Sequence, residues 1–106
     1  MIAYIAGPIT KRLNTYQYAF ADAEMVLKYL GYKVLNPAWL PKGLKDEDYQ
    51  RIDDAMLESS DTVVLLPGWE KSKGARREAR LAEQLGKKLI EYGQIDMMSE
   101  KEGVVA

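Results

Sequence analysis

Four short apolar runs alternate with stretches of helical periodicity, and that alternation leaves few folds open to the chain. Ile2 to Ala6 is closed by Gly7-Pro8, Lys33 to Leu35 by Asn36-Pro37, and Thr62 to Leu66 by Pro67-Gly68; Leu89-Ile90 is the fourth. Short continuous apolar runs bounded by turn residues read as strands buried on both faces. Between the first two, Tyr16, Phe20, Ala23, Leu27 and Leu30 recur at helical spacing. Asn14 or Thr15 is the expected cap and Gly31 the stop. A second helix is expected from Lys45 or Asp46 to Ser59, with Tyr49, Ile52, Met56 and Leu57 inward. A third is expected from a Ser72 cap to near Gly86, and 37–43 reads as loop. The order β-α-β-α-β-α-β predicts a three-layer α/β/α fold on a parallel sheet of four strands, with a fifth left open. Ligands of such sheets sit beyond the carboxyl ends of the strands.

At 106 residues the expectation is one domain, 1–106. Lys and Arg number 15 against 16 Asp and Glu. That balance argues against a nucleic-acid polymer as partner, since such binders carry a basic excess. Cysteine and histidine are both absent. Disulfides, Cys/His zinc sites, Cys nucleophiles and Ser-His-Asp triads are therefore excluded. The chemistry must run on carboxylates, Tyr, Lys, Arg, Ser, Thr or backbone groups, and no metal or cofactor is expected. No run approaches the ~18 apolar residues of a membrane span, and the apolar start is too short for a signal sequence. The expected location is the cytoplasm, with no membrane partner.

Two carboxylates fall on the wrong side of their helices. On a wheel of the third helix, Ala75, Ala79, Ala82, Leu81 and Leu85 form one apolar arc, and Arg76, Arg77, Arg80, Glu83 and Gln84 fill the opposite one. Glu78 falls inside the apolar arc. On the second helix Asp54 and Glu58 point outward, whereas Asp53 falls between Tyr49 and Leu57 on the inner side. A carboxylate buried without partners costs several kcal/mol. Two near a ligand end point to function, against the alternative of structural ion pairs or caps. Paired carboxylates suit chemistry at a sugar C1 atom, where one attacks and another group handles protons.

The start of the third helix, Ser72-Lys73-Gly74-Ala75, offers free N–H groups and the positive dipole end to an anion. Lys71, Lys73, Arg76 and Arg77 crowd that end, and Lys11 and Arg12 follow the first strand. The alternative is a serine helix cap among solvated charges. Gly7-Pro8-Ile9-Thr10 is not a dinucleotide fingerprint, and no phosphate-loop motif exists. Tyr4 reads as a core tyrosine. Trp39 and Trp69 either stack on a base or cover the core.

Four segments together resemble the nucleoside 2-deoxyribosyltransferase-like family, in particular its short bacterial and phage branch. They are Tyr4-Ile5-Ala6-Gly7-Pro8-Ile9-Thr10, Asn36-Pro37-Ala38, Asp61 to Trp69, and Ser72-Lys73-Gly74-Ala75-Arg76-Arg77-Glu78. The resemblance implies a flavodoxin-like sheet and cleavage or transfer at the N-glycosidic bond of a (deoxy)nucleoside or nucleoside 5-monophosphate. By position Glu78 matches the nucleophile that forms a covalent glycosyl-enzyme, and Tyr4 the tyrosine that orients it. Asp53 matches the aspartate that holds and protonates the base; a one-residue shift would nominate Asp54. Gly7, Pro8, Ile9, Ser72, Gly74, Ala75 and Trp69 are the implied substrate-binding positions. Ser72 replaces the acidic residue of transferases acting on free nucleosides, as in related deoxynucleoside 5-monophosphate N-glycosidases, which implies a phosphate ligand.

The chain leaves only 94–106 where the family has a fifth strand and a segment completing a neighbour's site. That implies either a more open site or a partner contribution from elsewhere, and a homodimer or larger homo-oligomer to cover edges and helix faces. The competing function is a non-catalytic nucleotide-binding or sensing module using the same pocket. A receiver-type signalling domain would need acidic residues where this chain has Gly7-Pro8 and Pro67-Gly68. A purely structural protein leaves both inward carboxylates unexplained.

Overall fold

A computed structural model describes residues 1–9 and 16–95. The chain forms β1 (Ile2–Ala6), α1 (Tyr16–Tyr29), β2 (Lys33–Leu35), α2 (Asp46–Ser59), β3 (Thr62–Leu65), α3 (Lys73–Gln84) and β4 (Lys88–Glu91). Short 3-10 turns occupy Pro37–Trp39, Trp69–Lys71 and Tyr92–Gln94. The first of them lies in the stretch expected to be plain loop. All strand pairs are parallel, in the order β2-β1-β3-β4. This is a flavodoxin-like α/β fold, with four strands and no fifth among the described residues. Thr10, Lys11, Arg12, the caps expected at Asn14 or Thr15, and 96–106 lie outside the described residues.

The period-2 alternation of the central strands builds two cores, one on each face of the sheet. Ala3 and Ile5 of β1, with Val64 and Leu66, pack on Phe20, Ala23 and Leu27 of α1. Tyr4 and Ala6, with Val63 and Leu65, face Leu57 of α2 and Ala79 and Ala82 of α3. The single helix on one face and the pair on the other follow from strand order. The path from β1 to β2 runs one way across the sheet, and the paths from β2 to β3 and β3 to β4 run the other. With right-handed crossovers the helices must then change face. The connections that leave the carboxyl ends of β1 and β3 therefore run to opposite faces of the sheet, a switch point where such sheets open a crevice.

Two glycines shape the ends of elements. Gly68, at φ 89°, turns the chain out of β3, and Gly86, at φ 71°, turns it after α3; a side chain is strained at either. The turn at Gly86 also corrects one expectation. Helix α3 stops at Gln84, so Leu85 leaves the helical line and is 45% exposed instead of joining the apolar arc.

Gly7 matters for space. A Cβ there would meet Leu66 Cβ at 2.9 Å, whereas one at Gly74 would meet nothing within 4 Å. Gly7→Ala is expected to lower stability by about 1–3 kcal/mol, the usual cost of overpacking, and Gly74→Ala to leave it within about 0.5 kcal/mol. Urea unfolding of the two variants checks the contrast; equal midpoints would contradict the close approach of β1 to Leu66.

Candidate active site

The switch point holds a cleft of about 530 Å³. Its floor includes Tyr4 of β1 and Phe20 of α1, with Gly7 and Ile9 following β1. One wall is α2, through Asp46, Tyr49, Gln50 and Asp53. The other is the entry to α3, through Lys71, Ser72, Lys73, Gly74, Ala75, Arg77 and Glu78.

Glu78 is 7% exposed and Tyr4 fully buried. The Tyr4 hydroxyl donates to Glu78 Oε2 at 2.7 Å. The contact follows from the pleat, since Tyr4 alternates onto the face that α3 covers. Burial pushes the Glu78 carboxyl up to about 8, reinforced by Asp53 and Asp54 and opposed by the Tyr4 hydrogen bond and Arg77. The Tyr4 phenol is raised well above its ordinary value, first by burial and then by the Glu78 charge. Tyr4 therefore keeps its proton and acts as a donor to Glu78.

Asp53 lies half-buried on the α2 wall, as the wheel placed it. Asp54 departs from its expected outward position. Its two oxygens accept from Arg77 Nη2 at 2.8 Å and Nη1 at 3.3 Å. Arg77, expected on the solvated arc, leans across to α2 for this pair, and both side chains are only about a third exposed. A wheel shows the direction of a residue from its own helix axis but not which neighbouring helix lies beside it.

Ser72 caps α3, its Oγ accepting the Ala75 N–H at 3.2 Å. The cap uses a lone pair and leaves the hydroxyl proton available to a ligand. Lys71 and Lys73 line the cleft, whereas Arg76 donates to the Glu70 carbonyl and lines a separate groove between α3 and β4. Both tryptophans lie off the cleft. Trp69 borders the α3–β4 groove and its indole N–H donates to Glu91, at 3.2 Å. Trp39 is 61% exposed and donates to Glu24. Of the substrate-binding positions expected from sequence, Gly7, Ile9, Ser72, Gly74 and Ala75 line the cleft; Pro8 and Trp69 do not.

Asp46 and Gln50 were not singled out by sequence, although a signal was present. Asp46, Gln50 and Asp53 stand at i, i+4 and i+7, one face of α2. Tyr49 also lines this wall, and its hydroxyl donates to the Pro41 carbonyl and accepts the Leu44 N–H. It thereby ties the approach to α2 onto the helix. Among the described residues no group of three Asp or Glu is placed to hold a metal ion, and no helix is long and apolar enough to cross a membrane.

The model of a domain of unknown function, DUF4406, matches residues 1–91. The chain belongs to this family. A solved structure of a 2-deoxyribosyltransferase from the psychrotolerant bacterium Bacillus psychrosaccharolyticus is similar to this DUF4406 chain. Its TM-score is 0.68 at 21% identity, covering 92% of this chain and 79% of that one. At that identity the likeness shows a shared fold. No curated protein matches the sequence significantly.

The buried Glu78 carboxyl sets a pH dependence of stability. Its value in the folded protein, about 8, lies above the ordinary 4.5. The folded state thus holds this proton where the unfolded chain releases it. The linked stability is fully present below about pH 4.5 and is lost as pH rises toward 8. Relative to Glu78→Gln, which cannot ionise, the native DUF4406 chain is expected to lose stability steadily across that window and to level off above it. Denaturant midpoints of both proteins between pH 5 and 9 measure this, and a constant difference would contradict the burial of an ionisable group here.

Proposed function

We propose that this DUF4406 chain cleaves or transfers the N-glycosidic bond of a 2-deoxynucleoside or its 5-monophosphate. The observation that carries the reading is the buried Glu78 carboxyl, held by the Tyr4 hydroxyl at 2.7 Å at the edge of a cleft of nucleoside size. The shared fold with a 2-deoxyribosyltransferase agrees with it.

In the proposed reaction an ionised Glu78 oxygen attacks the sugar C1 atom. The bond from C1 to the base nitrogen breaks, and its electron pair leaves with the base. Asp53, on the α2 wall, supplies a proton to that nitrogen. A second base, or water, then attacks C1 from the vacated side, gives its proton to the Asp53 carboxylate and releases the Glu78 carboxylate. The developing negative charge on the freed carboxylate is received by the Tyr4 O–H, which already points at it. The sugar phosphate is proposed to lie against the Ser72 hydroxyl, the Gly74 N–H group, Lys71 and Lys73, where the α3 dipole adds to the two cations.

One observation favours a second reading. A Glu78 carboxyl at about 8 is mostly protonated at neutral pH, which suits a group that only hydrogen-bonds sugar hydroxyls in a binding or sensing module. In the enzymatic reading the same value predicts a rising acid limb near pH 8 for the free protein.

Base release from a panel of deoxynucleosides and their 5-monophosphates, with and without an acceptor base, separates these readings. The enzymatic reading expects release that falls at least about a thousandfold in Glu78→Gln while ligand binding persists. Tyr4→Phe removes the donor that favours the ionised carboxylate, so its acid limb is expected to move to higher pH. The 5-phosphate is expected to tighten binding roughly ten- to a hundredfold, the worth of a charge-assisted hydrogen bond. No release by folded protein sinks the enzymatic reading and leaves the binding module; no gain from the phosphate sinks the assignment of the α3 entry.

We also propose a homodimer or larger homo-oligomer. Strands β2 and β4 are sheet edges, and Tyr18, Met25 and Tyr29 are exposed on one stripe of α1. Light scattering at micromolar concentration is expected to give at least twice the 12.0 kDa chain mass; a monomer would refute it.

A further inference from the structure

We propose that the Arg77–Asp54 ion pair is a positioning clamp, which fixes α2 against α3 so that Asp53 and Glu78 keep their separation across the cleft. The inference rests on the reading of Glu78 and Asp53 as the reacting pair. It adds two residues that do not touch the proposed reacting atoms, and it makes Asp54, which the resemblance offers as an alternative to Asp53, a positioning residue.

The placement carries it. Each reacting residue is the immediate chain neighbour of a clamp residue: Asp53 precedes Asp54 on α2, and Glu78 follows Arg77 on α3. One residue is a rise of about 1.5 Å along a helix, so the clamp crosses between the helices at the level of the reacting pair. The guanidinium meets the carboxylate through both terminal nitrogens, at 2.8 and 3.3 Å. A forked contact fixes angle as well as distance. Among the described residues no other ion pair joins two helices; the remaining ones, Lys28–Glu24 and Arg51–Asp48, each lie within one helix. With about a third of each side chain exposed, solvent screens part of the pair's attraction. The fork fixes how α2 sits against α3.

The clamp also brings two opposed charges close to Glu78. Arg77 favours the ionised carboxylate and Asp54 disfavours it. The other groups acting on Glu78 are Tyr4 from β1 and Asp53 from α2; Lys71, Lys73, Asp46 and Tyr49 line the same cleft. Removing the two clamp charges singly should therefore move the Glu78 titration in opposite directions. Those shifts place the pair beside Glu78; the loss of turnover in Arg77→Lys, which keeps the charge, is what separates positioning from charge.

The test uses the full chain with Arg77→Gln, Asp54→Asn, the double variant, and Arg77→Lys, which keeps the charge but loses the fork. The Glu78 titration is read directly by carboxyl-carbon NMR, assigned with Glu78→Gln, and turnover by base release. Arg77→Gln is expected to raise the Glu78 midpoint and Asp54→Asn to lower it. The double variant should fall between them, and Arg77→Lys close to wild type. Turnover is expected to fall roughly ten- to a hundredfold in all four, the scale of a small misplacement of reacting groups, with KM changing much less than kcat. Midpoints that move in the same direction, or full turnover in folded Arg77→Lys, would overturn the clamp. If the wild-type chain releases no base, the proposed reaction fails by itself. In that case the contacts between α2 and α3 decide the clamp: NMR cross-relaxation between the two helices is expected to weaken in folded Arg77→Gln and Asp54→Asn, and contacts unchanged from wild type would overturn it.

Discussion

A carboxyl group buried against the central strand sets the terms for the rest of this molecule. Glu78 is held from beneath by the Tyr4 hydroxyl, and that bond requires three things at once. Strand β1 must lie inside the sheet, the pleat must turn Tyr4 toward α3, and α3 must begin close enough to the sheet edge for its second turn to meet that residue. The small residues Ala75, Ala79 and Ala82 make the last condition possible, since they let α3 sit low on Val63 and Leu65. Burial raises the proton affinity of Glu78, and the donor and Arg77 resist it. The result is an acid poised near neutrality at the mouth of a cleft, which is where tuned groups tend to serve chemistry.

The two walls of the cleft differ in character. The α2 wall presents Asp46, Gln50 and Asp53, whereas the α3 entry presents Lys71, Lys73, a capping serine and helix N–H groups. A ligand with a hydrogen-bonding ring at one end and an anion at the other matches that polarity. The sugar of such a ligand would lie over Glu78, between the walls. The function proposed for this chain therefore follows from the arrangement of the walls as well as from the carboxyl.

Much of this was legible in the sequence. Apolar runs closed by Gly-Pro, Asn-Pro and Pro-Gly located β1, β2 and β3, and strand-helix alternation specified the parallel sheet. Glu78 and Asp53 stood out because a charge inside an apolar arc has a local cost that a helical wheel detects. Other features depend on how helices sit against one another. Asp54 and Arg77 looked like outward surface charges, since each is outward on its own helix; only the packing of α2 beside α3 turns them into a pair. Trp69 looked like a ligand platform because it follows β3, yet the left-handed Gly68 directs it toward β4 and Glu91. Leu85 fitted the periodicity of a helix that in fact ends one residue earlier.

The central claim is that Glu78 is the group to which the sugar becomes bonded. Intact-mass and peptide analysis of protein quenched during turnover of a 2-deoxynucleoside 5-monophosphate tests it most directly. The account predicts one added deoxyribosyl phosphate unit, mapped to Glu78 and absent from Glu78→Gln. Base release without such an adduct on any residue, or an adduct mapped to a different side chain, would contradict it.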